Sequence, residues 1–246
     1  MSSRTKKNQI NLKFYEIIKK LEFVNKNNRK IKILDWGCGR GELVKFLIDM
    51  GYDAYGVELN SSKKKNYKST LKKINSNKKI FFINEKNETN FPDKFFDLVI
   101  TNQVIEHISN KNRFIYELGR ILKKGGYSYN ILPAKYRINE VHYNMPFVHW
   151  MPKNKLRKYL IFFFNFFKFY HWDECKKLSF RGQVNYYFNY SIKKTYYLNA
   201  DDLFKNFEKQ GFQVIDQPIK IKLLNNLFFR FIKNMFIYIE FLAIRK

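Results

Sequence analysis

Residues 33–44 read Ile-Leu-Asp-Trp-Gly-Cys-Gly-Arg-Gly-Glu-Leu-Val, and that order of residue types predicts a strand, a tight loop and a helix. The apolar run from Ile31 to Leu34 ends at Asp35. Gly37, Gly39 and Gly41 follow at every second position, and then Leu43, Val44, Leu47 and Ile48 recur at helical spacing. Glycines let the backbone turn sharply and let a ligand lie against it with no Cβ in the way. The N–H groups that open the helix have no partners inside it and would face such a ligand. The pattern is G-x-G-x-G with an acid before it, which differs from the G-x-G-x-x-G of dinucleotide-binding loops.

Further segments arrive in order. Residues 55–60, Tyr-Gly-Val-Glu-Leu-Asn, read as a strand ending in an acid, Glu58. It lies about 20 residues past the loop, where a carboxylate accepts hydrogen bonds from ribose hydroxyls. Residues 91–108 (FPDKFFDLVITNQVIEHI), 118–133 (LGRILKKGGYSYNILP) and 200–216 (ADDLFKNFEKQGFQVID) complete the series. Together these resemble the motifs of class I S-adenosyl-L-methionine (SAM)-dependent methyltransferases, over residues 30–133 and 196–246. The likeness is strongest to the broad UbiE/type-11 group, which shares a fold and a methyl donor but not a substrate.

The resemblance implies a Rossmann-like α/β fold, with a mostly parallel seven-stranded sheet, helices on both faces and an inserted lid. It implies SAM as cofactor and methyl transfer as the activity. Asp35 with Gly37, Cys38, Gly39 and Gly41 would hold the amino-acid end of SAM. Glu58 would bind the ribose and Leu59 would flank the adenine. Glu85 would accept the adenine amino group, where related enzymes usually carry Asp. Asn102 and Gln103 would lie beneath the methionine part.

Strands are expected at 31–35, 53–58, 79–84, 96–101 and 126–132, alternating with helices. Alternation implies a parallel sheet with right-handed crossovers. Ligands sit at the carboxyl ends of such strands, where Asp35, Glu58, Glu85 and Asn102 fall. Residues 1–29 read as an N-terminal helix and linker, with Ile10, Phe14, Ile17, Ile18 and Leu21 at helical spacing over 8–24. Residues 30–133 form the SAM-binding core, 134–197 an inserted substrate or lid region, and 198–246 a C-terminal helix and antiparallel strands completing the core.

Gln103, Glu106 and His107 are spaced i, i+3, i+4, which predicts one side of a short helix. His107 is the candidate general base for a hydroxyl acceptor, with an imidazole pKa near neutrality and Glu106 beside it. Some quinone-pathway and small-RNA methyltransferases carry Glu-x-x-Glu-His here and bind a divalent cation. This chain has Gln103 in place of the first Glu, and magnesium prefers carboxylate oxygens. No metal is therefore expected, and activity is expected to survive EDTA.

In the insertion, His142, Tyr143, His149 and Trp150 are candidates to line the acceptor pocket, since such rings present an apolar face and a polar edge. Leu156, Leu160, Phe163, Phe164 and Phe167 form a helical stripe that Ile161, Phe162, Phe166 and Phe169 widen nearly all round. A helix of that kind is covered or touches something apolar. The pattern HYNMPFVHW…YHWDE resembles methyltransferases of surface-polysaccharide gene groups. That likeness implies an acceptor hydroxyl on a sugar, a glycan or a lipid-linked intermediate. The alternatives are an RNA 2′-hydroxyl, a quinone or lipid, and SAM binding without catalysis.

The formal net charge is +26, yet Lys outnumbers Arg by more than three to one. Asn, Ile, Phe, Tyr and Lys share A/T-rich codons, so genome composition accounts for much of the excess. Arg is favoured for bidentate phosphate and base contacts, so nucleic acid is not the expected partner. The runs Lys63–Lys65 and Lys72–Lys73 are read as a solvated helix face. The charge favours anionic partners, including acidic membrane surfaces. Cys38 and Cys175 offer no disulfide framework. With no signal peptide or membrane span legible in it, the chain is expected in the cytoplasm, with peripheral contact at the inner membrane face.

Overall fold

The computed structural model describes residues 12, 14–19, 31–60, 79–169, 175–216 and 238–246. Strand β1, Lys32–Trp36, is buried at four successive positions after Lys32. Burial on both faces is the mark of an inner parallel strand. It pairs in parallel with β2, Asp53–Leu59, where Asp35 stands opposite Gly56. It also pairs in parallel with β4, Phe96–Asn102. Strand β3, Ile80–Ile83, pairs in parallel with β2. The remaining strands are β5, Leu122–Pro133, β6, Phe212–Asp216, and β7, Tyr238–Arg245. They make one 7-stranded sheet in the order β3-β2-β1-β4-β5-β7-β6. The chain also forms helices α1, Glu42–Asp49, α2, Lys111–Ile121, α3, Lys155–Phe166, α4, Phe180–Lys193, and α5, Ala200–Lys209. This is the Rossmann-like α/β architecture that the alternation implies.

Close contacts divide the chain into two compact units, residues 1–101, 113–129 and 244–246 in the first and 102–112 and 130–243 in the second. In the first, Ile33, Leu34, Val44, Leu47, Val57, Val99 and Leu118 are fully buried. The Trp36 indole meets Phe114 edge-on with ring centroids 4.9 Å apart. Phe14 and Ile18, from the helical residues 14–19, are buried with them. Strand β5 starts earlier than the expected residue 126. It follows α2 without a break, running through Gly125 and Gly126. The ammonium of Lys123 is pinned there by Asp97, at 2.8 Å.

In the second unit, Tyr143, Met145, Val148, Ile161, Cys175, Val184 and Tyr187 form an apolar cluster. Phe207 of α5 packs edge-on against Phe212 and Phe241. Side chains of Asn154, Ser179 and Asn199 cap α3, α4 and α5. The buried face of α3 differs from the expected apolar stripe. It carries Arg157, Ile161 and Asn165, whereas Leu156, Phe163 and Phe167 are exposed and only Leu160 and Phe164 pack on the cluster. The Arg157 guanidinium donates to the Met151 and Ser191 carbonyls, and those bonds fix the inward face.

Outside the described residues lie 8–11, 13 and 20–24 of the expected N-terminal helix, and the basic runs at 63–65 and 72–73. Residues 170–174 and 217–237 lie outside them too. Among the described residues no helix is long and apolar enough to cross a membrane.

Candidate active site

The glycine loop closes on β2. Gly37 and Cys38 both donate their N–H groups to the Val57 carbonyl, at 2.8 and 3.0 Å. Gly37, Gly39 and Gly41 all take positive φ, the left-handed region that glycine alone enters without strain. The Cys38 side chain sits against Gly56, where a Cβ would come within 2.8 Å of its sulfur. A Cβ on Gly39 would meet nothing within 4 Å, so the loop borders open space there. No side chain caps the N-terminus of α1.

Glu58 closes the other side. Its carboxylate accepts the Gly39 N–H at 2.7 Å and the Leu59 N–H at 3.0 Å. Asp35, buried at the end of β1, has its pKa pushed up to about 7 by burial and then by Glu58. Burial, and then the same two acids, push the Cys38 thiol far up, so it is not a nucleophile. The loop is therefore an acidic cradle, suited to a ligand that brings positive charge.

In the second unit the 3-10 turn Ile105–His107 carries Glu106 inward and His107 to half-burial. His107 Nδ1 donates to the Lys194 carbonyl at 2.6 Å, since a carbonyl can only accept. His142 Nδ1 donates to Glu140 Oε1 at 2.7 Å. The two Nε2 atoms face each other at 3.1 Å. Each carries a lone pair when its ring is neutral, so a proton or a cation belongs between them. Glu106 is fully buried, and neither of its oxygens has a hydrogen-bond partner. Burial pushes its pKa up to about 7.

Glu140 is the anchor of this cluster. It accepts N–H groups from His142 and Tyr143 and the hydroxyl of Tyr197, the last at 2.5 Å. Burial alone would raise its pKa, but those bonds outweigh burial and hold it below the usual carboxylate value. Burial likewise pulls His142 down, and Glu140 outweighs it to hold the imidazole above its ordinary value. His107 is lowered, chiefly by burial.

The sequence pattern of the family described as a methyltransferase domain matches residues 10–217. The chain belongs to that family. The chain is 30% identical over 153 residues to the ubiquinone biosynthesis O-methyltransferase of Rickettsia akari, a match covering 57% of this chain and 56% of that relative. The match therefore spans little more than half the relative's length. An S-adenosylmethionine-dependent methyltransferase from Mesorhizobium loti has a similar fold, with TM-score 0.52 at 11% identity over 88% of this chain and 91% of that one. Phosphoethanolamine N-methyltransferase 2 of Haemonchus contortus, solved with S-adenosyl-L-methionine, has TM-score 0.51 at 13% identity, covering 89% of this chain and 49% of its own. S-adenosyl-L-methionine is thus a ligand whose fit can be tested on the residues of the glycine loop.

The cradle fits that ligand. SAM carries a sulfonium and an ammonium, and positive charge of that kind favours the ionised form of Asp35. Of the other expected contacts, Leu59 ends β2 and Asn102 ends β4. Glu85 lies in the exposed turn after β3. Gln103 precedes the 3-10 turn in a left-handed conformation, φ 56°, so it does not share a helix side with Glu106 and His107 as the spacing suggested.

The residue set also fits a divalent cation. Ligand atoms of Glu106, His107 and His142 lie within 4.8 Å of one another. Two oriented imidazoles and an unpartnered carboxylate suit a transition metal or zinc better than magnesium. The sequence reading weighed only Gln103 for the third ligand position and reserved His142 for the acceptor. Tyr143 is fully buried in the apolar cluster. His149 and Trp150 line a cavity of about 1020 Å³. Burial draws the His149 pKa down to about 4. Glu140 and Tyr197 went unread. The acid-x-His spacing of Glu140 and His142 was the available signal, whereas Tyr197 is 55 positions from His142 and gave none.

Proposed function

We propose that the chain transfers the SAM methyl group to an acceptor hydroxyl, and that the hydroxyl loses its proton at the Glu106–His107–His142–Glu140 cluster. The methyl carbon leaves sulfur, which keeps the bonding pair, and forms its new bond to the acceptor oxygen. His107 takes the proton on Nε2, because its Nδ1–H is committed to the Lys194 carbonyl. Two imidazoles facing two carboxylates hold two protons with no net charge. A divalent cation held by Glu106, His107 and His142 would occupy that same Nε2 lone pair, and would then replace the base by supplying Lewis acidity that lowers the hydroxyl pKa. In the donor cradle, Asp35, Gly37, Cys38, Gly39 and Gly41 hold the amino-acid end of SAM. Glu58 and Leu59 take the ribose and adenine, Glu85 the adenine amino group, and Asn102 and Gln103 the methionine part.

The observation that carries this reading is the paired imidazoles, each oriented through Nδ1. The relative's name, an O-methyltransferase, supports oxygen as the accepting atom and keeps an acceptor from ubiquinone biosynthesis as the second reading. We favour a sugar or glycan hydroxyl on a lipid-linked intermediate. Phe162, Phe163, Phe166 and Phe167 on and just past α3 are exposed, which supports an acceptor met at an apolar membrane surface. The test is methyl transfer from labelled SAM to separated glycan, lipid, quinone-precursor and RNA fractions. Label in the glycan-lipid fraction supports the favoured acceptor, and label confined to the quinone precursor or RNA replaces it.

A further inference from the structure

The cavity in the second unit has an unbalanced lining. Lys111, Lys135, Lys153 and Arg157 border it with several amides, and among the described residues no aspartate or glutamate does. Three of these cations, Lys111, Lys153 and Arg157, are fixed in place. The Lys111 ammonium donates to the Ile108 and Tyr196 carbonyls at 2.9 and 2.5 Å. Lys153 donates to the Ile192 and Thr195 carbonyls at 2.8 and 2.6 Å. An ammonium has three donors, so each keeps one N–H to give. The Arg157 guanidinium, bound to the Met151 and Ser191 carbonyls, likewise has donors left. Carbonyl clamps satisfy hydrogen bonds but cancel no charge. His149 also borders the cavity; it is 95% buried, with relative exposure 5%, and neither ring nitrogen has a partner.

We infer that this cavity is a phosphoryl-binding site, which takes a phosphate or diphosphate group carried by the acceptor. Glu106 and Glu140 act on Lys111 and Arg157 from outside the lining, but among the described residues no carboxylate stands on the cavity wall itself, and the positive excess there suits a multiply charged anion better than a single carboxylate. The spare N–H groups of Lys111, Lys153 and Arg157 and the ring of His149 are the hydrogen-bonding partners such a group needs. Tyr197 joins the cavity to the cluster, since it lines the one and donates its hydroxyl to Glu140 of the other. Assigning the group to the acceptor rests on the proposed function, whereas anion binding does not.

Calorimetric titration of the full chain with pyrophosphate, inorganic phosphate and acetate at fixed ionic strength tests this. Pyrophosphate is expected to bind most tightly and acetate not at all. Lys153→Met removes a cation but also a clamp, so Asn112→Asp is the cleaner variant. It adds one negative charge at an exposed position of the lining and removes no clamp. It is expected to weaken pyrophosphate at least tenfold and to leave SAM affinity unchanged. A sugar phosphate and a short-chain isoprenyl phosphate, titrated side by side, tell a soluble from a lipid-linked source by which binds tighter. No saturable binding, equal binding of acetate, indifference to Asn112→Asp, or competition between SAM and pyrophosphate would each overturn the site. Binding without any hydroxyl methylation would keep the site and remove the proposed function instead.

Discussion

His107 Nε2 and His142 Nε2 lie 3.1 Å apart, and each ring donates its Nδ1–H to a fixed oxygen. Two lone pairs at that distance repel unless something positive lies between them. A divalent cation meets that need with Glu106 as third ligand. Zinc or manganese added to chelator-treated protein is expected to raise the melting temperature, because a ligand that binds only the folded state stabilises it. His142→Ala should abolish the rise while leaving the protein folded. An unchanged melting temperature in the parent chain would leave a shared proton as the bridge.

Glu106→Gln should stabilise the metal-free protein while damaging activity. The carboxyl is buried without partners, and its pKa in the fold is about 7 against an ordinary 4.5. Folding thus favours the protonated form. Its destabilising effect is absent below about pH 4.5, grows as pH rises towards 7, and is constant above. The full cost is about 3 kcal/mol. Glutamine is isosteric and uncharged, so the variant should melt higher at pH 8 and nearly level with the parent at pH 4.5. Equal melting at both values would mean that Glu106 is not held as the geometry indicates.

The glycine loop was more legible than the histidine–carboxylate cluster. Gly37-x-Gly39-x-Gly41 after Asp35, and Glu58 on the next strand, are local patterns, and each lands where strand and loop rules put it. The histidine–carboxylate cluster assembles residues from three places, 106–107, 140–142 and 197, and spacing carries no record of such meetings. The α3 face was misread because Phe outnumbers every other residue there. Burial instead followed Arg157, whose guanidinium finds carbonyls that a solvent-facing arginine would lack.

SAM binding should strengthen as pH rises through about 7. Asp35 is held near that value by burial and Glu58, and a cationic ligand favours its ionised form. Below pH 7 the free protein must first lose a proton, so affinity should fall by up to about tenfold per pH unit. Calorimetry in buffers of different ionisation enthalpy at pH 6.5 would count the released proton. A pH-independent affinity with no proton release would place the positive charge of SAM elsewhere.

Two glycines should separate fold from ligand. Gly56→Ala puts a methyl 2.8 Å from Cys38 Sγ and 2.9 Å from Val44 Cγ2. Overpacking of this kind costs about 1–3 kcal/mol, which thermal melts would show. At Gly39 a side chain meets no protein atom, but φ is +52° and the space belongs to the proposed donor site. Gly39→Val should abolish SAM binding while the chain still folds. Wild-type SAM affinity in Gly39→Val would remove the loop from the donor site.

Single-turnover methyl transfer from SAM carrying a labelled methyl, comparing the parent chain with His107→Asn, bears most directly on the proposed chemistry. Isotope-edited NMR of the product identifies the atom that receives the methyl. The label should appear on an acceptor oxygen, and His107→Asn should slow the step by about 100-fold or more with SAM affinity unchanged. A methyl group on nitrogen or carbon, or a His107→Asn variant that transfers at the parent rate, would contradict hydroxyl methylation at this cluster.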